Sequence, residues 1–209
     1  MSFEWVVAAV TVIGSMLLCF AIRQGRIGSP VSLPSERSLH QAPIPRGGGL
    51  GIAAALVFGW VALGGPWAIV VAVAAVWAIS AWDDWFGAPP AARLAVHAFA
   101  AALVVAPWAP QTGPIVVFFL FFAVIWSINL FNFMDGADGI AATSALVATV
   151  ALSALARLHL PESAPLPWYC LVVGLAALGF LPFNLPPARL FMGDGGSTVL
   201  GLMLVTLSV

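Results

Sequence analysis

The chain has 209 residues, of which 62% are hydrophobic and only 7% charged, and its mean hydropathy is +1.08. Apolar runs of that density mark an integral membrane protein and leave no room for a separate soluble domain. The net charge of −1 gives nucleic acid nothing to bind, and Cys19 and Cys170, both inside apolar runs, read as packing residues rather than a disulfide or metal pair.

Apolar segments fall at about 4–22, 50–64, 66–82, 94–109, 114–131, 139–156, 167–181 and 198–209. They predict an all-α, polytopic transmembrane helix bundle of about eight membrane segments, a single domain over 1–209. The first run has Glu4 where a leader would be basic, and no small-residue cleavage pattern before Arg23, so it reads as a transmembrane helix rather than a signal peptide. Several runs fall short of the ~20 residues needed to cross hydrocarbon, so their helices are expected to extend into the flanks. Gly64-Gly65-Pro66 and Pro110 to Pro114 read as turns. From Thr198 to the end there is about 18 Å of helix, too short to span, which predicts a chain incomplete at its C-terminus in preference to a re-entrant end.

Arginine placement sets the orientation. Arg23, Arg26, Arg37 and Arg46 share the first long loop, so the positive-inside rule makes that loop cytoplasmic and the N-terminus periplasmic. Counting crossings then puts 83–93, 132–138 and 182–197 on the same side. Arg93 and Arg189 fall there with all five aspartates, and only Arg157 lies opposite.

Those aspartates carry the chemistry, because a charge at mid-bilayer costs roughly 2.5–3.5 kcal/mol on insertion scales. Asp83-Asp84 ends the third run; two adjacent carboxylates at a helix C-terminus repel each other and the dipole. Either water solvates them, or a basic partner or a cation such as Mg²⁺, shared with phosphate oxygens, offsets them. Asn129, Asn132 and Asp135 fall on one helical face, as oxygen ligands for a hard cation or as interhelical glue. Asp138 reads either as part of that tract or as an N-cap. Gly193-Asp194-Gly195-Gly196-Ser197 reads as a phosphate cradle before a helix starting near Ser197, or as a plain glycine turn with a serine cap. His40 and Arg46 sit in a Pro- and Gly-rich basic loop more patterned than orientation requires, and Arg46 suits a phosphate. His97 and His159 read as structural.

Four tracts in order carry a resemblance: Arg37-x-x-His40-x-x-Pro43-x-Pro45-Arg46-x-Gly48-Gly49; Asp83-Asp84-x-x-Gly87; Asn129-x-x-Asn132-x-x-Asp135-Gly-x-Asp138-Gly139; and Pro187-Ala-Arg189-x-Phe191-Met-Gly193-Asp194-x-Gly196-Ser197. From about residue 20 onward the chain resembles the polyprenyl-phosphate N-acetylhexosamine-1-phosphate transferases (glycosyltransferase family 4). Ile44 departs from the family's usual Thr, and Arg93 stands near a position where many members carry Lys. The resemblance implies ten or eleven helices and a later His-rich cytoplasmic loop, neither complete here. It also implies transfer of N-acetylhexosamine-1-phosphate from a UDP-N-acetylhexosamine to polyprenyl (undecaprenyl) phosphate, with UMP released. Such a step starts an O-antigen, lipopolysaccharide or related envelope glycan at the cytoplasmic face of a bacterial inner membrane.

By the same resemblance Asp194 and Asn132 hold Mg²⁺, or Mn²⁺ in its place. Asp83, Asp84 and Asp135 are the catalytic carboxylates, the first two at the acceptor phosphate. Asp138, Asn129, His40, Arg46, Arg189, Gly193 and Ser197 bind substrate, Asp135 and Asp138 facing the nucleotide-sugar. The lipid bilayer is a partner, and a homodimer stays open. The rival readings are an ion-coupled transporter, whose acids would sit nearer mid-membrane, and a catalytically inactive membrane subunit.

Overall fold

Each apolar run closes into a helix, since in hydrocarbon every backbone N–H and C=O must be satisfied inside its own segment. The structure, a computed structural model, describes residues 2–34 and 42–209. Its helices are α1 (Phe3–Arg23), α2 (Gly48–Ala62), α3 (Trp67–Phe86), α4 (Pro90–Val105), α5 (Pro114–Met134), α6 (Ile140–His159), α7 (Leu166–Asn184) and α8 (Asp194–Ser208). Pro90 and Pro114 start α4 and α5, where a missing N–H costs nothing. Gly87, at φ 74°, stops α3.

The all-α bundle expected from the sequence is what forms. Five helices, α1, α3, α5, α6 and α7, are long and apolar enough to cross a membrane. The apolar α2 and α4 are shorter, at 15 and 16 residues. Flanks extend as expected: α3 runs on to Phe86 and takes Asp83-Asp84 into its last turn, and α4 starts at Pro90 rather than 94. One expectation is corrected, because α8 starts at Asp194 and not near Ser197. A short antiparallel pair, β1 (Val31–Ser32) with β2 (Ile44–Pro45), was not foreseen.

At the centre stands α8, which touches α2, α3, α5, α6 and α7. Nearly all of it is buried, from Gly195 through Leu204. Polar side chains tie the ring to this hub and to α7, where lipid offers no hydrophobic drive between helices. Ser127 Oγ donates to Gly201 O at 2.7 Å, Ser80 and Thr198 share a 3.0 Å bond, and Ser15 Oγ donates to Ala176 O at 2.7 Å. Alanines 141, 142 and 145 on α6 and 176 and 177 on α7 are fully buried, which lets helices approach closely.

The two ends of the bundle differ in chemistry. Trp5 meets Trp168 edge-on, Arg157 caps the Trp168 ring at 5.1 Å, and Trp60 stacks on Tyr169. Rings of this amphipathic kind suit a membrane–water interface. The opposite end gathers the C-termini of α1, α3, α5 and α7 and the N-termini of α2, α4, α6 and α8, and it holds every aspartate.

Candidate active site

Because α8 is central, its first residue, Asp194, is presented in the middle of that end. The segment before α2 is stitched to the segment before α8: Phe191 N donates to Pro45 O at 2.8 Å, Gly48 N to Phe191 O at 3.0 Å, and Gly49 N to Met192 O at 2.8 Å. This pairing fixes Arg46 over Asp194. Arg46 Nη2 lies 3.3 Å from Asp194 Oδ1 and 3.1 Å from Asp84 Oδ1, so one guanidinium joins α3 to α8.

A second guanidinium mirrors the first. Arg93 Nη1 donates to Asp83 Oδ2 and lies 3.8 Å from Asp194 Oδ2. Asp83 Oδ1 accepts the Ala88 N–H at 2.6 Å, which ties the carboxylate to the turn after α3. Asp84 is aimed the other way, towards α8, where the Gly195 N–H lies 3.5 Å from its Oδ2. The adjacent acids that looked self-repelling in the sequence are thus each given a cation. Gly193 makes the approach feasible: it sits at φ 73°, and a Cβ there would stand 2.6 Å from Asp84 Oδ2.

The free N–H groups at the start of α8 are taken from within. Gly196 and Ser197 N–H donate to Gly193 O at 3.1 and 3.3 Å, and Ser197 is buried with its hydroxyl on backbone carbonyls of the same turn. The Asp84 carboxylate faces that helix end, with its Oδ2 3.5 Å from the Gly195 N–H.

Asp135, the residue capping α5, faces the same cluster. Burial pushes its carboxyl up to about 7, the Asp194 charge adds to the rise, Arg46 opposes it and Asp84 adds again. Asp138 does not cap α6; Gly139, at φ 76°, does. Instead Asp138 Oδ2 accepts the Ala188 N–H at 2.9 Å, fastening the loop before α8. Asn184, 3% exposed, does the same from α7: its Oδ1 accepts Gly139 N–H at 3.0 Å and its Nδ2 donates to Leu190 O at 3.1 Å. Leaving two such buried backbone groups unpaired would cost about 1–3 kcal/mol each.

Asp135, Asp138, Arg46, Arg189 and Gly193 line a cleft of about 1020 Å³, joined by Arg23. Arg189 is exposed at its rim and donates to Pro182 O at 3.0 Å. A smaller cavity of about 150 Å³ lies beyond Arg46 and Asp84, walled by Ile22, Leu50 and Trp77. Asn132 lies half-buried one turn before Asp135. Asn129 turns to its own helix and to His97, donating to Ile125 O at 2.7 Å. His40, with Arg37, lies outside the described residues.

Arg93, Arg23 and Asn184 are absent from the residues the sequence singled out for the site. Only the Asp83–Arg93 pair had a local signal, a cation just past a turn that begins at the paired acids.

The donor set consists of hard oxygens. Four carboxylates (83, 84, 135 and 194) meet two guanidiniums, a formal surplus of two negative charges once all four are ionised. Among the described residues no three Asp, Glu, His or Cys side chains converge as a cage. A cation that keeps substrate phosphates among its ligands needs only one or two carboxylates, so the residues fit Mg²⁺ or Mn²⁺ completed by phosphate.

A pH dependence follows from Asp135. Its folded-state carboxyl, raised from 3.8 to about 7, binds a proton the unfolded chain has already lost. Between those values stability therefore falls as pH rises. A divalent cation favours the ionised form and offsets that loss, so Mg²⁺ is expected to raise the melting temperature more at about pH 8 than at about pH 6. Thermal melting with Mg²⁺ against EDTA at both pH values checks this; in Asp135→Asn the difference shrinks.

A family model described as glycosyl transferase family 4 matches residues 66–209. The chain is 35% identical over 217 residues to a decaprenyl-phosphate N-acetylglucosaminephosphotransferase of Mycobacterium tuberculosis, covering 88% of this chain and 54% of that protein. The protein of the same name from Mycolicibacterium smegmatis is 33% identical over 208 residues, 83% of this chain and 51% of the relative. A phospho-N-acetylmuramoyl-pentapeptide-transferase of Staphylococcus saprophyticus is 37% identical over 99 residues, 46% of this chain and 30% of the relative. The chain thus spans about half the length, or less, of these curated relatives.

Proposed function

The chain belongs to glycosyl transferase family 4, and from that premise we propose that it transfers N-acetylhexosamine-1-phosphate from a UDP-N-acetylhexosamine to a membrane polyprenyl phosphate, undecaprenyl phosphate in a typical bacterium. The observation that supports this best is the ring of carboxylates laced by Arg46 and Arg93 at one end of a membrane bundle. A cleft of about 1020 Å³, lined by Arg46, Asp135, Asp138 and Arg189, opens beside it. An ion-coupled transporter would need its acids near mid-membrane, and here they meet at the helix ends.

In this reading an acceptor phosphate oxygen attacks the β-phosphorus of the nucleotide-sugar. A new P–O bond forms, the bridging P–O bond to the α-phosphate breaks, and UMP carries away the electron pair. Two anions must meet, and Arg46 and Arg93 offset their repulsion and the charge developing on the leaving group. Phosphate monoesters lose their second proton near pH ~6, so Asp83 has little proton to remove and serves mainly to orient the acceptor through Arg93. Asp84 holds Arg46 in place, and Asp135 and Asp138 face the donor from the cleft. Asp194 and Asn132 would hold Mg²⁺, whose chemistry is Lewis-acid polarisation of the donor diphosphate. Arg189, at the cleft's rim, and Gly193, which lines the cleft, belong to the substrate-binding set, as does His40 by its place in the sequence motif.

In this reading the site faces the cytoplasm at a bacterial inner membrane, the side where UDP-sugars are made, and its product starts an O-antigen or related envelope glycan. Membranes carrying the full gene product are expected to release UMP only when UDP-N-acetylhexosamine, polyprenyl phosphate and Mg²⁺ are all present, with the sugar moving into the lipid extract. UMP release without the lipid acceptor, or with no lipid-extractable sugar, would sink the reading.

A further inference from the structure

Arg93 can reach both Asp83 and Asp194 only if α4 holds one rotation against its neighbours. One turn further along α4, at i+4 and so on the same face, His97 is 4% exposed. Its Nδ1 lies 3.4 Å from Asn129 Nδ2 across the seam between α4 and α5. That Nδ2 also donates to Ile125 O at 2.7 Å. A carbonyl accepts only from the NH₂ half of an amide, so the Asn129 orientation is fixed. Nδ1 must then accept, which places the ring proton of a neutral His97 on Nε2.

Nε2 is buried and has no hydrogen-bond partner among the described residues. A buried donor without an acceptor is destabilising, so an aliphatic side chain would serve mere packing better at this position. The geometry points to a different role: we propose that His97 is a positioning residue, which through Asn129 locks the rotation of α4 against α5 and so holds Arg93 on Asp83 and Asp194. Asn129 thereby acts as the partner of His97 instead of touching substrate. The kinetic consequence rests on the transferase reading above; the structural consequence does not.

The experiment compares the full-length protein with His97→Leu and His97→Gln. Glutamine can accept from Asn129 through its amide oxygen, whereas leucine cannot. Two readouts are taken: the rate at which phenylglyoxal modifies Arg93, mapped by peptide mass spectrometry, and the kinetics of lipid-linked sugar formation. In His97→Leu, Arg93 is expected to be modified severalfold faster. Its kcat falls about 10- to 100-fold, the scale of a small misplacement at a reacting centre, while KM for the UDP-sugar is unchanged. His97→Gln restores both. Equal Arg93 modification in all three proteins overturns the proposal, as does a kinetic loss in His97→Leu that glutamine fails to rescue. A wild-type protein that makes no lipid-linked sugar, yet shows the Arg93 difference, overturns the transferase reading and leaves the α4–α5 lock standing.

Discussion

Asp194→Asn is expected to lower lipid-linked sugar formation by at least about 10²- to 10³-fold, the scale for losing one preorganised electrostatic contact in a dry site. Asp194 is the first residue of the central helix and, among the described residues, the only carboxylate that both arginines approach, Arg46 at 3.3 Å and Arg93 at 3.8 Å. Asparagine keeps its shape and removes its charge. The fold should survive, because Thr198 and Ser197 bond the backbone carbonyl of Asp194 and not its side chain. Arg46 also keeps Asp84, and Arg93 keeps Asp83. A melting temperature close to wild type, with turnover lost and not recovered by excess Mg²⁺, is the expected result. Turnover within about twofold of wild type would remove Asp194 from the proposed metal set, since a lost charge at the cation costs far more.

The helices were legible because lipid permits so few backbone solutions that an apolar run of sufficient length is already an answer. That the polar loops share one end of the bundle was legible too. Arginines and aspartates alternate with apolar runs in phase, and the structure gathers those loops at one end. Helix ends were less legible. Hydropathy falls at Asp83 and rises again at Leu94, but α3 and α4 continue through those polar turns as far as Phe86 and from Pro90. The start of α8 was misplaced for a related reason. Gly195 and Gly196 look like a loop in sequence, whereas in space they are the packed first turn of a helix, Gly195 against Trp77 of α3 and Gly196 against Met192 and Gly49 of α2.

Site residues divide by how their partners are encoded. Asp83, Asp84, Asp135, Asp138 and Asp194 stand out because a carboxylate in an apolar chain has few benign explanations. Their pairings are not encoded locally. Nothing in the sequence says that Arg46 crosses to Asp194, or that Asp138 ties down Ala188. Asn184 carries no such signal, yet its two bonds hold the entry to α6 against the approach to α8. His97 had no signal at all, as a lone histidine near a helix end is most often structural; only its buried ring nitrogen and the Asn129 amide give it a role.

Gly49→Ala is expected to disable the protein through its backbone rather than its chemistry. Gly49 opens α2 where that helix meets the first turn of α8, and a Cβ there would stand 2.3 Å from Gly196 N, 2.7 Å from Gly196 Cα and 2.8 Å from Gly195 C. All three are main-chain atoms of the central helix, which is packed on five sides and cannot step aside as a flexible side chain would. The strain must then open the α2–α8 contact, and with it the Gly49 N–H bond to Met192 O. Overpacking typically costs 1–3 kcal/mol, and an obstacle made of backbone belongs at the top of that range, at about 3 kcal/mol. In a chain of this size that corresponds to a melting temperature lower by about 6–12 °C. Arg46 lies three residues upstream on the same stitched segment, so its hold on Asp84 and Asp194 is lost along with the packing, and activity falls even below the melting transition. Gly14→Ala in α1 is the control, because a Cβ at that helical position meets nothing within 4 Å and alanine favours helix. If Gly49→Ala melts with Gly14→Ala, at or above wild type, the close α2–α8 contact is not what fixes Arg46 over the acids.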